Sequence, residues 1–501
     1  MGFFFEMITS PYAGIMVMAV GVLVSIFVGF SGNRKINLSW AVINALFYTG
    51  SFYLYIRNFL MIGPRFTLLV NLGLPEVILS CIMLFCGLNI LFFISIHRLS
   101  DKSFIRTVIL LSFSIISVLL TLIANNAVLF TVSIMLTILS IFYLLVSLEK
   151  DNAPSREYMS RFGMRVAVPA AFILFGYSLL VGTGRMRTFF ANSGMDNTDN
   201  PLILISAIVF ASAFYLYSFL YPFHGIFLKL SSRVDASSVP VLWFLYIPSS
   251  LVLLIKLSSF FRIFSGKESH YGFIILAVLA FTSLLGAGLG LIKSKNIKRI
   301  ISMFLFFQLS TVVFVKAAGF IGENNFFEPL QYEMLALVII LVVFLPLSIL
   351  AMIIKRSAKN DSIDCAQGLL RRDPYTGICI VLILIWWLIA DVYVFVMKGP
   401  IGTDGLFSYG IKETILIAGF VVALLLVAVN IIRIIVVLFK KAPQETVSGK
   451  QESPRVFYVY LSFFVLLAIS SLVLIIMGKA DIGQDHIDLW GNTFYIFSGG
   501  K

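Results

Sequence analysis

Residues 202–221 read LILISAIVFASAFYLYSFLY, and Pro222-Phe223-His224 follow at once. The run is long enough to cross the hydrocarbon of a bilayer as a helix. Proline lacks a backbone donor and its ring clashes with the preceding turn, so Pro222 predicts a helix break that frees carbonyls beside a lone imidazole. A charged turn carrying Lys229, Arg233 and Asp235 comes next, and a second apolar run opens at Val239-Pro240. Inside a membrane such a polar interruption survives where it is buried in protein or lines water. The plainer alternative ends the helix at Pro222 and leaves His224 among lipid headgroups, since histidine is common at helix ends.

Composition extends this reading to the whole chain. Hydrophobic residues make up 60% of the 501 positions and charged residues 12%, and the mean hydropathy is +1.01. Those values exclude a water-soluble domain and define a polytopic membrane protein. The formal net charge of +13 sits in short loops, so it reports topology rather than a nucleic-acid partner. Cys81, Cys86, Cys365 and Cys379 stand mostly within apolar runs. They show no metal spacing and read as small core residues.

Spans of membrane length recur near residues 13–30, 38–56, 77–97, 105–124, 127–147, 165–182, 202–221, 239–261, 272–292, 298–319, 333–354, 376–397, 412–439 and 457–477. Together they predict an all-α fold of roughly 14 transmembrane helices. Glu6 replaces the basic region a cleavable signal would carry. The odd-numbered loops hold most of the Lys and Arg, as in Arg34-Lys35, Lys293 to Arg299, Lys355 to Arg372 and Lys440 to Arg455. The positive-inside rule assigns that side to the cytoplasm, so both termini face outward across a bacterial or archaeal cell membrane.

Charges inside spans cost several kcal/mol unless hydrated or paired, which makes them functional candidates. Lys316 lies deep in the tenth span, Asp391 in the twelfth and Lys398 at its end, Lys256 late in the eighth and Arg433 in the thirteenth. Asp391 and Lys398 stand about two helical turns apart on one face. Lys256, Lys398 and Arg433 are near enough to helix ends for the alternative, a charged head snorkelling to water.

The ordered segments ANNAVLFTVSIML (124–136), SRFGMRVAVPAAFILFG (160–176), YPFHGIF (221–227), GLIKSKNIKRIISMFLFFQLS (290–310) and GLLRRDP (368–374) resemble the antiporter-like membrane subunits of respiratory complex I, the subunit N type of NADH-quinone oxidoreductase. They are also similar to the D-type membrane component of the multi-subunit (Mrp-type) sodium/proton antiporters. The resemblance covers about residues 77–440. It implies two inverted five-helix repeats with discontinuous helices, a recurring device for moving ions through the midplane. The chain then divides into helices 1–3 (1–104), a first repeat (105–264), a second repeat (265–440) and a last helix with its tail (441–501). Pro222 interrupts the seventh helix, and Gly399-Pro400 after Lys398 occupies the corresponding place in the second repeat.

The resemblance also exposes losses. The family's glutamate on the fifth helix falls at Met135, its lysine on the seventh at Tyr217, and its lysine on the eighth near Ile247-Pro248. Arg161 replaces a lysine on the sixth helix, and a guanidinium does not exchange its proton in the working range. Gln308 stands where the tenth helix has histidine or glutamine, Leu388-Ile389-Ala390-Asp391 replaces Gly-Ile-Pro-Pro, and the twelfth-helix lysine aligns with Lys398. Two functions follow. In one, Lys316, Asp391 and Lys398 form a proton or sodium relay, with His224 at a cytoplasmic mouth and Lys256 a further candidate. In the other, the subunit is a scaffold that conducts nothing. Neither includes a catalytic or metal site in this chain: glycine-rich nucleotide loops and cysteine clusters are absent from the sequence. NADH, flavin and iron–sulfur clusters would belong to partner subunits.

Overall fold

The computed structural model describes residues 10–28, 33–62, 65–66, 71–72, 74–149, 153–182, 201–220, 223–234, 238–261, 269–321, 362–363, 367–372, 374–397 and 411–440. The all-α expectation holds. The helices are α1 (Ala13–Val28), α2 (Arg34–Ile62), α3 (Leu74–Arg98), α4 (Phe104–Ile123), α5 (Ala127–Leu148), α6 (Ala153–Gly182), α7 (Pro201–Tyr217) and α8 (His224–Arg233). A short α9 (Val239–Val241) runs through a π-helical segment, Leu242–Tyr246, into α10 (Ile247–Phe261). Then come α11 (Ser269–Lys293), α12 (Ile297–Ile321), the single turn α13 (Leu369–Arg372), α14 (Pro374–Met397) and α15 (Ile411–Phe439). The only strands among the described residues are β1 (Arg65–Phe66) and β2 (Asn71–Leu72), an antiparallel pair with Arg65 opposite Leu72.

All but two of the expected spans coincide with described helices; 333–354 and 457–477 lie outside the described residues. Six helices among the described residues meet a strict length and hydropathy requirement for crossing a membrane. The most buried of these, the stretch Ile297–Phe314 of α12, has nearly all of its residues inside the protein. By contrast α15 turns Val421, Val422, Leu425, Val429, Ile432 and Val436 outward, as a lipid-facing helix does. Exposed apolar residues need no other explanation where the solvent is hydrocarbon.

The second helix, Arg34–Ile62, overruns the expected 38–56 at both ends, and two further boundaries that differ from the sequence reading bear on the site. The sixth helix starts at Ala153 rather than near 165, because its charged first turns continue the helix past the apolar run. There Arg161 pairs with Glu157 at 2.6 Å, both half exposed or more. The seventh helix ends at Tyr217, four residues before the expected 221. A helix continuing to Pro222 would drive its ring into the carbonyl of Ser218, so the chain must leave helical geometry one turn earlier. Phe219 takes the turn with φ 50°, a left-handed conformation that costs an aromatic residue on the order of 1–3 kcal/mol.

Described residues at the odd-numbered connections meet at one end of the bundle. Asn37 donates to the carbonyls of Leu99 (2.7 Å) and Asp101 (3.3 Å), and Arg98 donates to the carbonyl of Leu148. The Ser238 hydroxyl donates to the Glu149 carboxylate. Lys298, buried, donates from Nζ to the carbonyl of Val234 at 3.0 Å, and the Ile363 amide donates to Lys295 at 2.8 Å. Arg433 does not snorkel away from the protein. Its guanidinium forks onto two of the last carbonyls of α11, Leu291 at 3.3 Å and Ile292 at 2.7 Å, and onto Ser294 just beyond it at 3.1 Å, at a helix end whose carbonyls lack intrahelical partners. Arg433→Met should cost about 1.5–3 kcal/mol, the range for hydrogen bonds to a charged group. A lowered thermal midpoint of the detergent-solubilised protein checks this, and an unchanged one contradicts it.

Candidate functional site: the broken helix and its polar surroundings

The break after α7 is closed by neutral groups. Tyr217 is fully buried and its hydroxyl lies 2.9 Å from that of Ser249. Its own carbonyl, freed by the end of α7, accepts a hydrogen bond from the Tyr246 hydroxyl. A π turn adds a residue to the helical cycle and re-aims the side chains that follow it; Tyr246 ends that turn, and it and Ser249 both reach Tyr217. Around them lie Phe162, stacked on Phe219 at 5.5 Å, then Phe227 at 5.8 Å from the Tyr246 ring and Phe306 at 5.0 Å from Phe227. Ile247 is also buried, and Met135 packs against the core. Each position aligned with a missing ionisable group is therefore filled by apolar or uncharged packing. Tyr246→Phe, which strands the Tyr217 carbonyl, should destabilise by about 1–3 kcal/mol, read as a lower melting midpoint without loss of helical content.

Where α7 stops, a small cavity with space for about one water molecule opens between the break and the next helices. Leu220 and His224 line it from the break, Ser283, Gly286 and Ala287 from α11, and Met303, Phe306 and Ser310 from α12. His224 opens α8 and faces this space, half buried, rather than lipid. Two hydroxyl links stitch the same region: Tyr215 lies 3.2 Å from both the Leu279 carbonyl and Ser283 Oγ, and Trp243 Nε1 donates to Ser302 at 3.0 Å. Deeper in the second half, Trp387 Nε1 donates to Gln308 Oε1 at 3.0 Å, tying α14 to α12.

The charged candidates divide. Lys256 is 3% exposed, and its Nζ lies 3.6 Å from Oε1 of Glu76, which is 14% exposed. The snorkelling alternative for Lys256 is thus corrected: the ammonium turns inward to a carboxylate. Glu76 sits in the first turn of α3, where the helix dipole favours a negative charge. Lys316 is in α12 and Asp391 in α14 by backbone, but their side chains are outside what is described, and Lys398, Gly399, Pro400 and Pro222 lie outside the described residues altogether. The fold does not bring Lys256 to the cavity: His224 is its only ionisable lining residue among those described. No group of three or more His, Cys, Asp or Glu among the described residues is placed to hold a metal ion.

Sequence reasoning passed over Glu76, Glu149 and Lys298. Each stands at the edge of an apolar run, which reads as an ordinary solvated helix end. A carboxylate in the first turn of an otherwise uncharged span, as Glu76 is, was the available signal.

A bundle of membrane-length helices, one of them broken beside a buried polar pocket, defines a polytopic helical membrane protein. No family model matches the chain. It is 22% identical over 358 residues to NADH-quinone oxidoreductase subunit N of Methylovorus glucosotrophus, covering 67% of this chain and 66% of that protein. It is 25% identical over 380 residues to subunit N of Nitrosomonas europaea, covering 71% and 70%. The chain thus spans about two thirds of the length of these curated relatives. Its fold matches a chain of respiratory complex I from Thermus thermophilus with a TM-score of 0.70 at 13% identity, over 92% of this chain and 97% of that one. The resemblance to the antiporter-like subunit superfamily is borne out by relatives and fold together.

Proposed function

We propose that this protein is a membrane subunit of an NADH-quinone oxidoreductase of the complex I type, with a sealed first repeat and a second repeat that carries proton translocation. The observation that carries the reading is the packing at Tyr217. A half-channel needs a titratable group that can change charge and reach water, and here a phenol is held fully buried between Ser249 and Tyr246. The second repeat keeps candidates of the required kind in Lys316, Asp391 and Lys398. Lysine suits a relay because burial and a carboxylate neighbour act on its protonation in opposite directions, so small motions switch its charge. The chain itself works without redox groups: NADH, flavin and iron–sulfur clusters sit in partner subunits, and the quinone reaction is theirs.

The gathering at one end of Arg98, Lys295 and Lys298, described residues at two of the basic connections, supports a cytoplasmic assignment for that end, with both termini on the outer side. A multi-subunit cation/proton antiporter is the competing host, and a non-conducting scaffold is the competing role. Affinity purification of the chain from its native membrane separates the hosts. Co-purifying NADH-binding and iron–sulfur subunits are the expected result; small antiporter subunits in their place would overturn the assignment.

A further inference from the structure

The cavity beside the break lies between the two halves of the molecule, and its lining is only partly satisfied. Serine and threonine hydroxyls in helices commonly bond back to the preceding turn, and Thr311 does so to the Phe307 carbonyl at 2.9 Å. Its neighbour Ser310 does not: the hydroxyl is completely buried, has no hydrogen-bond partner among the described residues, and lines the cavity. A buried hydroxyl left in this way is costly. The space is of the size one water needs, and a buried water is stable with two to four polar partners. Three residues with polar side chains line it: Ser310, His224, and Ser283, whose Oγ also meets the Tyr215 hydroxyl.

We propose that a single buried water occupies this cavity, hydrogen-bonds Ser310, and links His224 at the break of the first repeat to α12 of the second. Resting on the reading that the second repeat conducts, the link gives that repeat an inlet from the basic end through the first repeat's broken helix, bypassing the closed site at Tyr217. A proton arriving from His224 binds the water oxygen, and another of the water's protons leaves toward the Ser310 side, so the water is regenerated and nothing is consumed. From Ser310 the same helix continues to Lys316, and two residues back Gln308 holds Trp387 of α14, the helix of Asp391.

The test uses the assembled complex. A density map that resolves ordered waters should show a peak within hydrogen-bond distance of Ser310 Oγ; a cavity with no peak overturns the proposal, whatever the flux data show. Ser310→Val removes the hydroxyl, matches the Ser310→Thr control in volume, and should lower proton flux per NADH oxidised by about tenfold or more, the usual scale for losing a positioned proton-transfer group. Ser310→Thr, which keeps the hydroxyl, should restore most of it. Flux in Ser310→Val equal to wild type contradicts the link. Lys398→Met is measured beside it: loss in Lys398→Met with none in Ser310→Val overturns the water link alone, whereas no loss in either overturns the conducting role. If Ser310→Val fails to assemble, the map of the unmodified complex decides.

Discussion

Glu76→Gln should lower the stability of the folded subunit by about 3–5 kcal/mol, the cost of breaking a buried ion pair from one side. The substitution removes the carboxylate that faces Lys256 and leaves an ammonium that is 3% exposed in the low-dielectric interior. Lys256→Met should cost less, because Glu76 is nearer water at 14% exposure and lies in the first turn of α3, where the helix end still supports it. The double variant Glu76→Gln, Lys256→Met should recover most of the loss, since removing both charges leaves no unpaired group. Thermal unfolding in detergent, with subunit abundance in the membrane, reads all three. Single variants as stable as wild type would mean that the pair is hydrated and contributes little.

How much of this could be read beforehand follows from what each feature depends on. The helices were legible because the bilayer sets their length and every backbone polar group within it must be satisfied locally. The break was legible from Pro222, but its position was not: the ring acts on the carbonyl one turn back, so α7 ends at Tyr217 and α8 appears where a loop was expected. That Tyr217 stands where a lysine would be expected came from the family resemblance. Its packing was not legible, because the contacts from Ser249 and Tyr246 depend on a π segment that carries no sequence signature here. The pairing of Glu76 with Lys256 joins helices remote in sequence, so neither residue announces the other. The fork of Arg433 onto the end of α11 was hidden for the same reason.

Lys398→Met carries the second large effect. Methionine keeps roughly the apolar length of lysine and removes the amine, so the protein should still assemble while the proposed relay loses the group that would gain and release a proton in each cycle. Flux through it should fall about tenfold or more, the scale of a lost positioned proton donor. Tyr217→Phe removes only the hydroxyl that meets Ser249, from a site with no charge to move. It should shift the melting midpoint slightly and leave flux near wild type.

Proton flux per NADH oxidised, measured in vesicles containing the assembled complex with wild type, Lys398→Met and Tyr217→Phe, tests the division of labour between the two repeats most directly. A second repeat that conducts beside a sealed first repeat predicts strong loss in Lys398→Met and near-normal flux in Tyr217→Phe. Unchanged flux in Lys398→Met, or comparable loss in Tyr217→Phe, would contradict it.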